Sequence, residues 1–179
     1  MTELGGPVLA AARWLLGRHL VSEVDGDRVV VALTEVEAYD GANDPASHAF
    51  RGETPRNSSM FGAPGTLYVY RSYGVHWCMN VVCGPPGTAA AVLLRGGIPV
   101  EGHETIEHRR GGRRPLTVGP GNLTQALGVT GEHDGSSLSG GPLRLEAGLL
   151  TGRVTASPRI GISRATERLW RFVLRGVSE

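Results

Sequence analysis

VVVALTEVEAY, residues 29–39, opens as a run of β-branched and aliphatic residues and continues into alternating polar positions. Such a run reads as a strand. Because successive side chains on a strand point to opposite faces, Glu35, Glu37 and Tyr39 share one face. Three spaced polar groups on one strand rarely make a core. The next residues, DGANDPAS (40–47), are dominated by Gly, Asn, Asp and Pro, which favour turns, and they lead to His48. These spacings bring Glu37, Tyr39 and His48 within reach of one pocket, with Tyr70 from the next strand. A carboxylate there activates water, and the rings hold a flat molecule. Two plainer readings stand beside this one: the glutamates face solvent, and His48 is a hydrogen-bonding loop residue.

Downstream, Thr54 to Val100 contains neither Asp nor Glu, although the chain carries 17 acidic and 18 basic residues. Charge is segregated, and a net charge of +1 conceals a positive surface. The same run holds Arg56, Arg71 and the rings of Phe61, Tyr68, Tyr70, Tyr73, His76 and Trp77. Flat rings beside arginines suit unstacked bases. A half-buried strand with tyrosines at its rim accounts equally well for LYVY (67–70) alone.

The other elements follow from periodicity and breakers. Leu9, Ala12, Leu16 and Leu20 recur at helical spacing, predicting a helix over about 8–20 with Pro7 suited to its first turn. Strands are expected over about 20–39, 66–71, 75–83, 90–96, 143–146, 152–157 and 169–174. Helices are expected at Glu101–Arg109 and Asn122–Leu127, loops at 40–56 and at GEHDGSSLSGG (131–141). HRRGGRRP (108–115) reads as a mobile basic break near phosphates or as a solvated charge run. Arginines at 153, 159, 164, 168, 171 and 175, against Glu167 alone, predict a second positive region. Helices flanking mainly antiparallel strands give an α+β class, with residues 1–179 as one domain.

Composition excludes several functions. The histidines and cysteines have no zinc-ligand spacing, so no metal is expected. Gly119-Pro120-Gly121 lacks the Lys-Ser/Thr of a phosphate loop, so no nucleotide cofactor is expected. No apolar run reaches membrane-span length, and no signal peptide is recognisable. Cys78 and Cys83 in a hydrophobic region read as reduced core thiols, pointing to a cytoplasmic protein. All 18 basic residues are arginine. With no lysine to form a Schiff base, only the α-amino group of Met1 or Thr2 remains as an amine nucleophile.

TEVEAYDGANDPASHAFRGETPRN, MFGAPGTLYVYRSYGVHWCMN, AVLLRGGIPVEG, GPGNLTQALGV and PRIGIS, in this order, resemble the alkyladenine (3-methyladenine) DNA glycosylase family from about Val29 to Gly176. The resemblance implies a monofunctional base-excision enzyme without cofactor. It would act as a monomer, with no obligate protein partner, on duplex DNA containing alkylated or deaminated purines: 3-methyladenine, 7-methylguanine, hypoxanthine and ethenoadenine. Glu37 is then the general base. Arg95 and the backbone carbonyl of Ile160 hold the water, and Tyr39, His48, Tyr70 and Asn80 line the base pocket. Tyr73 is the intercalating wedge, and Arg56, Asn57 and Arg71 are expected at the DNA backbone. The chain departs from the family pattern at Arg71-Ser72, at Asn122 where Lys is common, and at VSE, where a Ser-Pro-Trp extension often follows. A non-catalytic nucleic-acid-binding domain and a free-nucleoside or tRNA-base hydrolase are the competing classes.

Overall fold

A computed structural model describes residues 2–178; Met1, with its α-amino group, and Glu179 lie outside them. The chain is α+β. Helix α1 (Val8–Leu15) buries Val8, Ala11, Ala12 and Leu15. It ends at Leu15, short of the expected residue 20, because Gly17 takes φ +80° and gives its N–H to the Leu33 carbonyl at 2.7 Å. A Cβ at Gly17 would stand 2.2 Å from the Leu150 carbonyl oxygen, so the chain turns there at a residue without one. Leu20 therefore belongs to a strand, and Pro7 is the N-cap rather than part of the first turn.

The strands are β1 (His19–Ser22), β2 (Val29–Asp40), β3 (Leu67–Ser72), β4 (His76–Cys83), β5 (Ala90–Glu101), β6 (Leu143–Glu146), β7 (Thr151–Ser157) and β8 (Arg171–Ser178). They form an antiparallel sheet in the order β3-β4-β5-β2-β1-β6, with β8 joining β2 and β7. Glu101 closes β5, so helix α2 (His103–Arg110) starts later than expected. Helix α3 (Pro120–Leu127) starts earlier, with Pro in its first turn. One sheet face carries Val69, Met79, Val81, Val92 and Leu94 in a single core with buried residues of the three helices. On the other face Tyr68, Val82 and Ala91 pack with Ala49, Met60 and Ala89 from the flanking loops.

β2 is the trunk of the sheet. β5 runs along one edge; on the other, Val29–Ala32 pair with β1 and Glu35–Glu37 with β8. Opposite β5 the register breaks: Leu33 faces Gly97, Glu35 faces Gly96 and Val36 faces Leu94, leaving Thr34 and Arg95 without one-to-one partners. A bulge exchanges the two faces of a strand. Accordingly Val29, Val31 and Leu33 enter the core at odd positions, then Val36 and Ala38 at even ones. Glu35, Glu37 and Tyr39 are thereby turned away from the core, while the whole trunk stays apolar beneath them.

The far edge is covered. Asp134 accepts the Val69 N–H at 2.7 Å, and Leu67 donates to the Ser136 carbonyl at 2.7 Å. The 131–141 segment is thus more than a surface loop: it also buries Leu138 completely.

β2 and β5 approach closely at Gly97, where a Cβ would lie 2.4 Å from both the Ala32 oxygen and Val31 Cγ1. Gly97→Ala is expected to lower stability by about 1–3 kcal/mol through overpacking, read from the urea midpoint at unchanged m-value.

Candidate active site

The β2 bulge places Glu37 beneath a cleft of about 930 Å³. Tyr39, His48, Tyr70, Arg95, the Tyr73-Gly74 tip and the 160–164 loop form its walls. Glu37 is 0 % exposed and lies behind the wall, among Tyr39, Arg95 and Ile160. Its Oε1 accepts the Ile160 N–H at 2.8 Å and stands 3.4 Å from Arg95 Nε; its Oε2 accepts the Tyr39 hydroxyl at 2.9 Å. Burial pushes its pKa above the usual carboxylate range against Arg95, the Ile160 amide and the Tyr39 hydroxyl, while the charge of Glu35 adds to the rise. Ile160 thus meets the carboxylate through its N–H, a contact the sequence did not suggest.

Arg95 is shared. Its Nε lies 3.0 Å from Glu35 Oε1, closer than to Glu37, and the same Glu35 oxygen accepts Arg171 Nε at 2.7 Å. Burial opposes ionisation of Glu35, but the two guanidiniums outweigh it and hold its pKa below the ordinary value. The bulge also frees the Arg95 carbonyl, which accepts the Gly119 N–H at 2.8 Å and ties the start of α3 to the site.

Aromatic side chains form the opposite wall. His48 meets Tyr70 edge-on at 4.5 Å, and Tyr68 stacks on Tyr70 at 5.5 Å with 27° between planes. His48 Nδ1 is 3.0 Å from the Tyr68 hydroxyl, and burial together with the charge of Arg56 lowers the His48 pKa. Burial pushes the Tyr68 phenol up to about 12. Asn80, on the cleft floor, donates to the Tyr68 carbonyl at 3.1 Å.

At the cleft mouth Tyr73 is 90 % exposed. It and Gly74 take φ +48° and +69°, and the Val75 N–H returns to the Ser72 carbonyl at 2.9 Å. Positive φ at both central residues is what a type I′ turn requires, and a tyrosine adopts it only at a cost in strain. Arg56 and Arg71 are exposed on the cleft, and Arg71 also lies 5.7 Å from the Trp77 ring.

Asn57, expected at a DNA backbone, is 3 % exposed. Its Nδ2 donates to the carbonyls of His48 and Gly52, and its Oδ1 accepts from Thr54. It staples the loop that carries His48. The expected second positive region is likewise reduced, because Arg159, Arg168 and Arg171 turn inward to Asp44, the Asn43 carbonyl and Glu35.

Arg159 and Asp44 are functional neighbours that sequence reading missed. Both side chains are fully enclosed, and the guanidinium grips both carboxylate oxygens, one at 2.9 Å. It also donates to the Ala38 carbonyl at 2.8 Å and lies 4.6 Å from the Tyr39 ring centroid. One buried pair thereby fixes the His48 loop, β2 and the residue before Ile160. In the sequence Asp44 reads as one more turn residue of DGANDPAS. Among the described residues, no group of three or more His, Cys, Asp and Glu could hold a metal ion.

A family model for methylpurine-DNA glycosylase (MPG) matches residues 3–178. The chain belongs to the methylpurine-DNA glycosylase family. It is 51 % identical over 164 residues to a protein of Rhodopseudomonas palustris (strain BisB18), covering 90 % of this chain and 80 % of the relative. With a protein of Frankia casuarinae it shares 50 % over 185 residues, covering 95 % and 85 %. Both relatives are provisionally named 3-methyladenine DNA glycosylase. As a methylpurine-DNA glycosylase by family, the chain is an N-glycosyl hydrolase of DNA repair.

The titration of Glu37 is testable apart from activity. Its carboxyl is expected to titrate above the ordinary Glu range, and Glu35→Gln is expected to lower that pKa by removing a like charge and releasing Arg95. Carboxyl-carbon NMR across an acid titration reads both, and an upward shift in Glu35→Gln would contradict the shared-guanidinium geometry.

Proposed function

We propose that this glycosylase rotates a damaged purine out of duplex DNA into the cleft and hydrolyses its N-glycosidic bond with water, leaving an intact strand at an abasic site. One observation carries the reading: a buried carboxylate, held by Arg95, Tyr39 and the Ile160 amide, lies directly behind a cleft walled by Tyr39, His48 and Tyr70. A glycosidic bond inside a duplex is hidden from water, so the nucleotide must leave the stack, at a cost of a few kcal/mol. The exposed Tyr73 is suited to fill the gap. The extruded base packs in the pocket lined by Tyr39, His48 and Tyr70, where stacking on an aromatic side chain is worth about 1–3 kcal/mol per base.

In this mechanism Glu37 takes a proton from water between Arg95 and Ile160. The water oxygen bonds to the sugar C1′ as the C1′–N electron pair leaves with the base. A purine methylated at N3 or N7 is already cationic and departs without a general acid. Hypoxanthine, being neutral, requires a proton from water or protein. This accounts for one carboxylate where sugar hydrolases use two. In a chain without lysine, water is the natural nucleophile. We read the substrate class as alkylated and deaminated purines in duplex DNA and assign to Asn80 the rejection of guanine by its 2-amino group. To Arg56 and Arg71, exposed on the cleft, we assign phosphate contacts. We read the enzyme as a cytoplasmic monomer.

Glu37→Gln is expected to slow excision at least about 10²-fold while keeping affinity for damaged duplex. In the unsubstituted enzyme the rate falls as pH drops through the raised Glu37 pKa, because the base must be ionised. Base release from alkylated duplex, resolved by chromatography across pH, checks this; a wild-type rate in Glu37→Gln would make the carboxylate structural. The strand should stay unbroken, with no adduct trapped by borohydride.

Tyr73→Ser is expected to reduce excision of hypoxanthine strongly in paired duplex and less opposite a mismatch that already weakens pairing. Tyr70→Ala is expected to reduce both. Single-turnover rates make the comparison, and equal fractional losses for Tyr73→Ser would assign it to packing.

A further inference from the structure

Across the hairpin from the base cleft lies a second cleft of about 670 Å³, bounded by Val75 and the start of β4 at His76 and Trp77, the first turn of α3 and the end of α2. Arg109, Arg110 and Arg113 all line it. None of the three is ion-paired with a carboxylate among the described residues. Arg109 donates to the Val24 and Ala126 carbonyls, and Arg113 to the Arg110 carbonyl at 3.1 Å. Arg110 is only 6 % exposed, yet its partners are the neutral Gln125 side chain and the Pro115 carbonyl, and its Nε has no hydrogen-bond partner.

A buried cation normally has a counter-charge, because an ion taken out of water without one loses its hydration uncompensated. The C-terminal dipole of α2 offsets part of this charge, and Asp25 also lines the cleft. Neither supplies a bonded carboxylate. The opposite wall adds donors. The amides of Gly121 and Asn122, in the first turn of α3, have no partner four residues back within the helix. Gly121 is held hard against β4, where a Cβ would stand 2.8 Å from the His76 ring.

We infer that this cleft is an anion site, and that the anion is a DNA phosphodiester on the side of the wedge away from the base pocket. The inference rests on Tyr73 entering the duplex as proposed above. With the lesion held on one side of the hairpin, the arginine cleft faces backbone on the other. The phosphodiester has two sources, the lesion strand beyond the wedge and the strand opposite it. The site accounts for the direction in which HRRGGRRP departs from a solvated charge run: Arg114 is the member that pairs outward, with Glu107 at 2.5 Å, while the other three converge.

The test compares two substitutions of equal charge change, Arg113→Ala and Arg114→Ala, in binding to undamaged and lesion-containing duplex as a function of salt. Arg113→Ala is expected to weaken both duplexes severalfold and to reduce the slope of log affinity against log salt by about one, whereas Arg114→Ala stays near wild type. Duplexes carrying a single neutral methylphosphonate, scanned along each strand, locate the contact. At one position wild type loses affinity and Arg113→Ala does not, and the strand carrying that position names the source. Arg113→Ala matching Arg114→Ala in affinity and slope would overturn the inference, as would a scan in which no position cancels their difference. Base release by the unsubstituted enzyme judges the proposed function separately, since it does not depend on how these two variants compare.

Discussion

The structure depends on a slip of register between the two longest strands. Without the bulges at Thr34 and Arg95, a strand that buries Val29, Val31 and Leu33 would also bury Glu35, Glu37 and Tyr39. With them, the apolar set moves to Val36 and Ala38, and the chemical groups gain a face of their own. The Arg95 carbonyl, at the slip, accepts from Gly119, and on the other edge of β2 strand β8 pairs beside Glu35 and brings in Arg171.

Burying that much charge is costly, and the fold offsets it by sharing. Arg95 lies between two carboxylates, Glu35 between two guanidiniums, and Arg159 with Asp44 closes a separate pair under Tyr39. Such pairs are poor sources of stability but good sources of placement, since removing one member leaves an uncompensated ion. Glu37 is the least compensated of the carboxylates. Burial raises its pKa, whereas two guanidiniums lower that of Glu35.

Much of this was legible in the chain. The alternation in TEVEAY put Glu37 and Tyr39 on one face of their strand, LYVY put Tyr68 and Tyr70 on one face of theirs, and the family resemblance singled out Tyr73. What failed to show were relations across long sequence separations. Nothing in DGANDPAS distinguishes Asp44 from its turn-forming neighbours until Arg159 arrives from 115 residues away. Asn57 sits beside Arg56 in an acid-free run that suits DNA, yet its amide is spent on the loop beside it. The helix expected to reach residue 20 ends at Leu15, ahead of Gly17, where the Leu150 carbonyl leaves no room for a Cβ, a contact no local period reports. Local pattern fixed faces and elements; partners came from topology.

The backbone of Tyr73 has an evolutionary consequence. In a turn with positive φ at both central positions, Gly, Asn or Asp fits with less strain than an aromatic residue, and Tyr73 makes little contact to compensate. On the wedge role proposed for Tyr73, random drift at this codon therefore offers variants that fold more firmly and repair less. On that reading, selection for thermostability and selection for repair pull this one residue in opposite directions, so a screen for robust folding alone would tend to discard the ring exposed at the cleft mouth.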